Sequence, residues 1–159
     1  MNLNSIPVTL LDGTPSNFGA YAGKTVLVVN VASRCGLTPQ YEALEVLQKK
    51  YSSKGFTVLA FPSDQFKQEL KDAADIAEFC SATYGITFPM SEKVKVNGKS
   101  THPLFVELKK AKDHAGLGGP VLWNFEKFLV LPNGEVHRFR PTTKPDDHAI
   151  VELIEANLS

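Results

Sequence analysis

The chain has 159 residues, 43% of them hydrophobic and 21% charged, with seventeen basic residues against seventeen acidic ones. That balance excludes the strong net field that draws a protein to nucleic acid or to an anionic membrane surface, and no run approaches the roughly 18 apolar residues of a membrane span. The length suits one domain, residues 1–159, which can bury a core without metal or disulfide staples.

Val8 to Leu11 followed by Asp12-Gly13 reads as a strand and tight turn, and Ala22-Gly23 as a second turn, which predicts an N-terminal β-hairpin. Thr25 to Val31 is an unbroken β-branched run, the pattern of a central strand covered on both faces. Thr38 is suited to cap a helix with Pro39 at its first position; Leu44, Leu47 and Tyr51 then share a face until Gly55. Phe56 to Phe61 is a second buried strand, so the stretch closes as a βαβ crossover with parallel strands. Asp72 is suited to open a helix with the apolar stripe Ala73, Ile76, Ala77, Cys80 and Tyr84. A short helix follows Thr101-His102-Pro103, with Leu104, Phe105 and Leu108 inward, and Gly116 to Pro120 reads as a flexible connection. Phe125 to Val130 and Glu135 to Phe139 flank an Asn133-Gly134 turn as a hairpin, and Ile150, Leu153, Ile154 and Leu158 mark a last helix. This order predicts an α/β chain of thioredoxin-like fold, with a mixed central β-sheet flanked by helices and the N-terminal hairpin beside it.

Two cysteines argue against a secreted disulfide scaffold and fit a reducing compartment in which any disulfide is transient. Met1 to Ser5 has neither the basic nor the apolar region of a secretory signal, so a cytoplasmic protein is expected. Cys35 falls in the loop after the central strand, where open α/β sheets gather their chemistry. It also precedes a helix N-terminus, whose partial positive charge and free N–H groups favour thiolate over thiol. Spacing alone leaves a small buried hydrophobe equally open. His102, His114, His137 and His148 show no metal-ligand spacing and read as surface residues.

Three ordered segments narrow the choice. Asn30 to Tyr41, NVASRCGLTPQY, resembles the active-site signature of the glutathione peroxidase family, in which cysteine or selenocysteine holds the place of Cys35. FPSDQFKQE, from Phe61, resembles that family's FPCNQFGxQEP motif, and WNFEKFL, from Trp123, matches its WNFxKFL motif. Tyr84 to Pro89 and Val96-Asn97-Gly98 extend the resemblance over nearly the whole chain. It implies a peroxidase without a cofactor that reduces hydrogen peroxide and organic or lipid hydroperoxides. The implied catalytic set is Cys35, Gln68, Trp123 and Asn124: the thiolate attacks a peroxide oxygen, and neutral N–H donors stabilise the sulfur. The chain is one residue short between Phe66 and Gln68, which leaves Gln65 as a competitor for Gln68; Ser63 and Asp64 stand where the family has Cys and Asn. Arg34 reads as a solvated loop cation beside this set.

The resemblance also implies that Cys80 resolves the oxidised Cys35 as an intramolecular disulfide, regenerated by thioredoxin. The alternatives are a glutathione-dependent peroxidase in which Cys80 is core, and a peroxide sensor that relays its oxidation to a partner. A disulfide needs Cα atoms within about 7 Å, so the 75–84 segment is expected to unwind on oxidation. The short 116–120 segment stands where some members carry a longer one used to form tetramers, which implies a monomer; the balanced charge and the lack of a long apolar run carry the expectation of no nucleic-acid or stable membrane association.

Overall fold

A computed structural model describes residues 2–159; Met1, which the expected domain includes, lies outside the described residues. Strands β1 (Pro7–Thr9) and β2 (Pro15–Asn17) pair antiparallel as the N-terminal hairpin. Strand β3 (Thr25–Val31), helix α1 (Gln40–Tyr51) and strand β4 (Phe56–Pro62) form the parallel crossover. Helices α2 (Ala73–Phe79) and α3 (Pro103–Leu108) follow, then the antiparallel strands β5 (Lys127–Val130) and β6 (Val136–Phe139) and helix α4 (His148–Ala156). The four-stranded sheet runs β4-β3-β5-β6, parallel between β3 and β4 and antiparallel elsewhere.

All seven residues of β3 are buried because the strand is central and covered twice. Leu27, Val29 and Val31 pack with Leu44 of α1 and with Ile150 and Ile154 of α4. Val26 and Val28 face the other way, onto Leu104, Phe105 and Leu108 of α3 and Val8 of the hairpin. Burial of each such side chain stabilises by about 1.5–3 kcal/mol, so the carboxyl end of β3, from which the Cys35 loop departs, is a rigid base.

Several local expectations change. Thr38 does not cap α1: residues 35–39 form successive i to i+3 turns that run into the helix, with Pro39 at the cap position, and Thr38 folds back onto its own loop. Asp72 stands at the N-cap of α2 but its side chain makes no capping bond. The stripe on α2 is narrower than its spacing suggests, since Ala73 and Ala77 are exposed while Ile76 and Cys80 are buried. From Cys80 to Tyr84 the helix widens into a π turn, ended by Gly85 in the left-handed conformation at φ 60°. His102 is half-buried, its Nδ1 accepting the Leu104 N–H at 3.1 Å to cap α3. Strand β5 begins at Lys127 rather than Phe125, because Phe125 has φ 68° and cannot continue a strand.

The 116–120 segment is not a loose connection either. Fully buried Arg138 donates through Nη2 to Gly119 O and Pro120 O at 2.9 and 3.0 Å, and through Nη1 to Lys109 O and Ala111 O at 3.3 and 3.1 Å. Its charge is balanced by Glu126, also fully buried, whose Oε2 accepts from Arg138 Nε at 2.6 Å and from Arg140 Nη1 at 3.0 Å. Among the described residues no helix is long and apolar enough to cross a membrane.

Removing the Arg138 guanidinium leaves Glu126 with Arg140 alone and four carbonyls without their donor, and breaking a buried ion pair costs about 3–5 kcal/mol. Arg138→Met is therefore expected to lower unfolding free energy by about 3 kcal/mol in urea titrations; a loss below about 1 kcal/mol would show that the pair does not hold the segment.

Candidate active site

Cys35 sits at the start of the turns that lead into α1, in a backbone frame fixed by Thr38. The Thr38 hydroxyl accepts the Cys35 N–H at 2.9 Å and donates to Ala32 O at 2.8 Å, so one side chain ties both ends of the loop. The sulfur is buried and unbonded to Cys80, and it receives two N–H donors. Leu37 N donates at 3.3 Å from the turn itself, and Trp123 Nε1 donates at 3.2 Å from the loop before β5. Trp123 is 38% exposed, so the thiol lies just under the surface with the indole as its rim. Phe66 packs on that indole with ring centroids 5.2 Å apart.

Gln68 and Asn124 meet each other rather than the sulfur: Asn124 Nδ2 donates to Gln68 Oε1 at 2.9 Å. Asn124 is fully buried and its Oδ1 has no hydrogen-bond partner. The Gln68 backbone carbonyl accepts the Arg34 N–H at 2.9 Å, which brings this loop against the Cys35 loop, while Arg34 itself is exposed. Gln65 is engaged elsewhere. Its Oε1 accepts from Val96 N and Asn97 N at 2.6 and 2.9 Å and its Nε2 donates to Asn97 O at 2.9 Å. Lys67, in the shortened stretch before Gln68, is held at φ 60°. Asp64 turns outward to Lys95 at 2.9 Å and Lys93 at 3.5 Å, and these cations hold its carboxyl below the usual range. Ser63 is fully buried.

Cys80, the first residue of the π turn, packs in the same core cluster as Cys35. Burial pushes its thiol up to about 11, with the neighbouring Tyr41 hydroxyl opposing the shift and the Glu69 charge adding to it. Burial likewise pushes Tyr41 well above the usual phenol range. Burial raises the Glu69 carboxyl, against hydrogen bonds from Ser33 and Leu70. Glu69 Oε1 accepts from Ser33 N at 3.1 Å, Ser33 Oγ at 2.5 Å and Leu70 N at 2.8 Å, so it braces the Cys35 loop from below. On its other side Cys80 borders a groove of about 580 Å³ with Leu10, Ala77, Phe88 and Met90. Among the described residues no three His, Cys, Asp or Glu side chains gather as metal ligands.

Sequence reasoning passed over Thr38 as a loop lock, Leu37 N as a sulfur donor, and Glu69 as a brace. A hydroxyl three residues after the cysteine was the available signal for Thr38, since Ser and Thr side chains bond nearby backbone in turns. Nothing in the sequence pattern distinguishes Leu37.

A cysteine loop at the carboxyl end of a central strand, in a mixed sheet of this order flanked by helices, defines a thioredoxin-like fold. Residues 3–109 match the family model described as glutathione peroxidase. The chain is 51% identical to glutathione peroxidase-like peroxiredoxin 2 of Saccharomyces cerevisiae, covering 89% of this chain and 90% of that one. It is 42% identical to the thioredoxin/glutathione peroxidase BtuE of Escherichia coli, covering 94% and 93%, and 46% identical to a hydroperoxy fatty acid reductase of Synechocystis, covering 87% and 86%. The crystal structure of Trgpx in apo form superposes with a TM-score of 0.75 at 36% identity, covering 99% of this chain and 95% of that one. A thiol:disulfide interchange protein of Chlorobium tepidum shares the fold alone, with a TM-score of 0.63 at 20% identity over 95% of this chain and 93% of that one. The chain belongs to the glutathione peroxidase family and is a peroxidase.

A thiol raised to about 11 is ionised in about one molecule in a thousand at pH 8. Iodoacetamide at pH 8 is therefore expected to label Cys35 well before Cys80 in the reduced protein, as read by peptide mass spectrometry, with Cys80 labelling accelerating toward pH 11. Equal labelling of both at pH 8 would contradict the burial and ionisation assigned to Cys80.

Proposed function

We propose that this protein is a thioredoxin-regenerated peroxidase in which Cys35 is the nucleophile, Trp123, Gln68 and Asn124 assist it, and Cys80 resolves it. The observation that carries the reading is the indole N–H of Trp123 on Cys35 Sγ at 3.2 Å, joined by Leu37 N at 3.3 Å. Two neutral donors favour anionic sulfur without a salt bridge that would blunt its attack. The thiolate attacks one peroxide oxygen; the S–O bond forms as the O–O bond breaks, and the departing alkoxide or hydroxide takes a proton to leave as alcohol or water. Sulfur is oxidised to the sulfenic acid and the peroxide is reduced. The Gln68–Asn124 amide pair supplies N–H groups to the oxygens at this step, and the exposed edge of Trp123 admits the substrate. Hydrogen peroxide and organic or lipid hydroperoxides are the substrate class, in keeping with the hydroperoxy fatty acid reductase among the relatives.

In the second step Cys80 attacks the Cys35 sulfur, an S–S bond forms, and the hydroxyl leaves as water with the Cys80 proton. Reduction of that disulfide by the dithiol of thioredoxin completes the cycle. The weakness of the segment around Cys80 supports this route. Of residues 73–84 only Ile76 and Cys80 are buried, with Phe79 and Tyr84 packed on the core from partly exposed positions, and the last turn is already a π turn, which favours local opening. Unwinding of 75–84 lets Cys80 reach Cys35. The enzyme works as a cytoplasmic, single-domain monomer.

Glutathione as the reductant is the second reading, favoured by the burial that keeps the Cys80 thiol un-ionised in the reduced fold. Peroxide-dependent NADPH oxidation separates the two, with thioredoxin and its reductase in one assay and glutathione and its reductase in the other. Cys80→Ser is expected to lose at least about 10-fold of thioredoxin-linked turnover, and Cys35→Ser to lose all turnover. Equal thioredoxin-linked turnover in Cys80→Ser would refute resolution by Cys80. Hydrogen exchange of the oxidised protein is expected to show lost protection across 75–84; a fully protected helix in the disulfide state would refute the unwinding.

A further inference from the structure

Asn30 lies in β3, on a strand otherwise built from apolar and β-branched residues, and it is fully buried. A buried amide is costly unless it is bonded, and both ends of this one are spent on the segment that carries the indole. Nδ2 donates to Trp123 O at 3.1 Å, and Oδ1 accepts from Glu126 N at 3.1 Å. The Asn30 backbone carbonyl accepts from Phe125 N at 2.6 Å, between those two bonds.

The bracketed segment is strained. Phe125 is held at φ 68°, a left-handed conformation that is unfavourable for a bulky L-residue. Its carbonyl accepts from Lys127 Nζ at 2.6 Å, and the same nitrogen donates to Pro141 O at 3.1 Å. Pro141 O also accepts from Gln40 Nε2 at 2.9 Å, at the first residue of α1, so the amine links the indole loop to the helix that follows Cys35. Lys127 is fully buried and hydrogen-bonds these two carbonyls. Burial brings its ammonium down to about 7, with Glu126 opposing.

A strained non-glycine residue persists only where its surroundings over-determine it. The hairpin itself needs no such device: its far end turns through ordinary backbone bonds, Leu131 N to Glu135 O at 2.8 Å and Gly134 N to Leu131 O at 2.9 Å. The buried amide, the buried amine and the strain all converge on the four residues from Trp123 to Glu126.

We infer that Asn30 and Lys127 are positioning residues for the reactive thiol, holding Trp123 to Glu126 in the one arrangement that places the indole N–H on Cys35 Sγ. This role rests on the one proposed for Trp123. Neither residue touches the sulfur or the substrate; each acts through the indole loop.

The test uses the full chain in a Cys80→Ser background, which leaves Cys35 as the single thiol. Two quantities are read: the single-turnover rate of hydrogen peroxide consumption, and the pH profile of iodoacetamide alkylation. Trp123→Phe is expected to slow peroxide consumption by about 30-fold and to move the alkylation profile to higher pH. Asn30→Ala and Lys127→Met are each expected to slow it by about 10-fold and to move the profile the same way. Combined with Trp123→Phe, each should add less than about 2-fold, because the indole they serve is already gone. A role confined to stability would leave the profile of the folded protein where it is. Lys127→Met keeps the volume while removing a buried amine, so it carries the test if Asn30→Ala does not fold. Folded variants with the unchanged rate and profile, or effects that multiply with Trp123→Phe, would overturn the positioning role. An inert Trp123→Phe would instead overturn the role of Trp123, and this one with it.

Discussion

The sulfur of Cys35 is met by N–H donors from two parts of the chain: the Leu37 amide in its own turn and the indole of Trp123, 88 residues from the cysteine, beside β5. Bringing them together requires β3 and β5 to be neighbours in the sheet and the loops at that edge to hold fixed shapes. The β3–β5 register, Val29 opposite Lys127, sets how far the indole loop extends past the strand end. Neutral donors also set a chemical balance. Attack improves with thiolate fraction but weakens as the thiol becomes more acidic, so two dipoles suit the attack on peroxide proposed for this sulfur better than a close cation would. Arg34 is exposed, in keeping with that choice.

Rigidity is distributed unevenly around this contact. Thr38, Glu69 and the buried ion pair of Glu126 with Arg138 lock the loops that border the thiol, each with several short hydrogen bonds. The segment that carries Cys80 has none of these. Its exposed alanines bury little surface, and the widened turn at its end gives up regular helix geometry where the second cysteine sits. A fold that holds one cysteine tightly and the other loosely is suited to a cycle in which the first does the chemistry and the second comes to it.

Much of this architecture was legible from local pattern. The continuous β-branched run at Thr25 to Val31 and the crossover to Phe56 can hardly be read otherwise, and a cysteine directly after that strand has a short list of uses. What escaped was decided by which particular partner a residue finds in the fold, near or distant in sequence. Thr38 looks like a helix cap in any local window, yet bonds to Ala32 and Cys35 offered it a better place. Phe125 extends a strand pattern by its side chain, while its backbone answers to Asn30 and Lys127. Gly116 to Pro120 has the composition of a loose loop, and Arg138 and Arg140, some twenty residues on, make it a fixed one by holding the carbonyls of residues 117–120. The motifs pointed to Gln68, Trp123 and Asn124 together, but not to the division between them, in which the indole takes the sulfur and the two amides take each other.

The claim on which the rest turns is that Cys35 is the atom peroxide oxidises. Treating the Cys80→Ser protein with one equivalent of hydrogen peroxide in the presence of dimedone, and locating the adduct by peptide mass spectrometry, tests it directly. A single dimedone adduct on Cys35, formed within the time that peroxide disappears, is the predicted result. Peroxide consumed with Cys35 left as an unmodified thiol would contradict it.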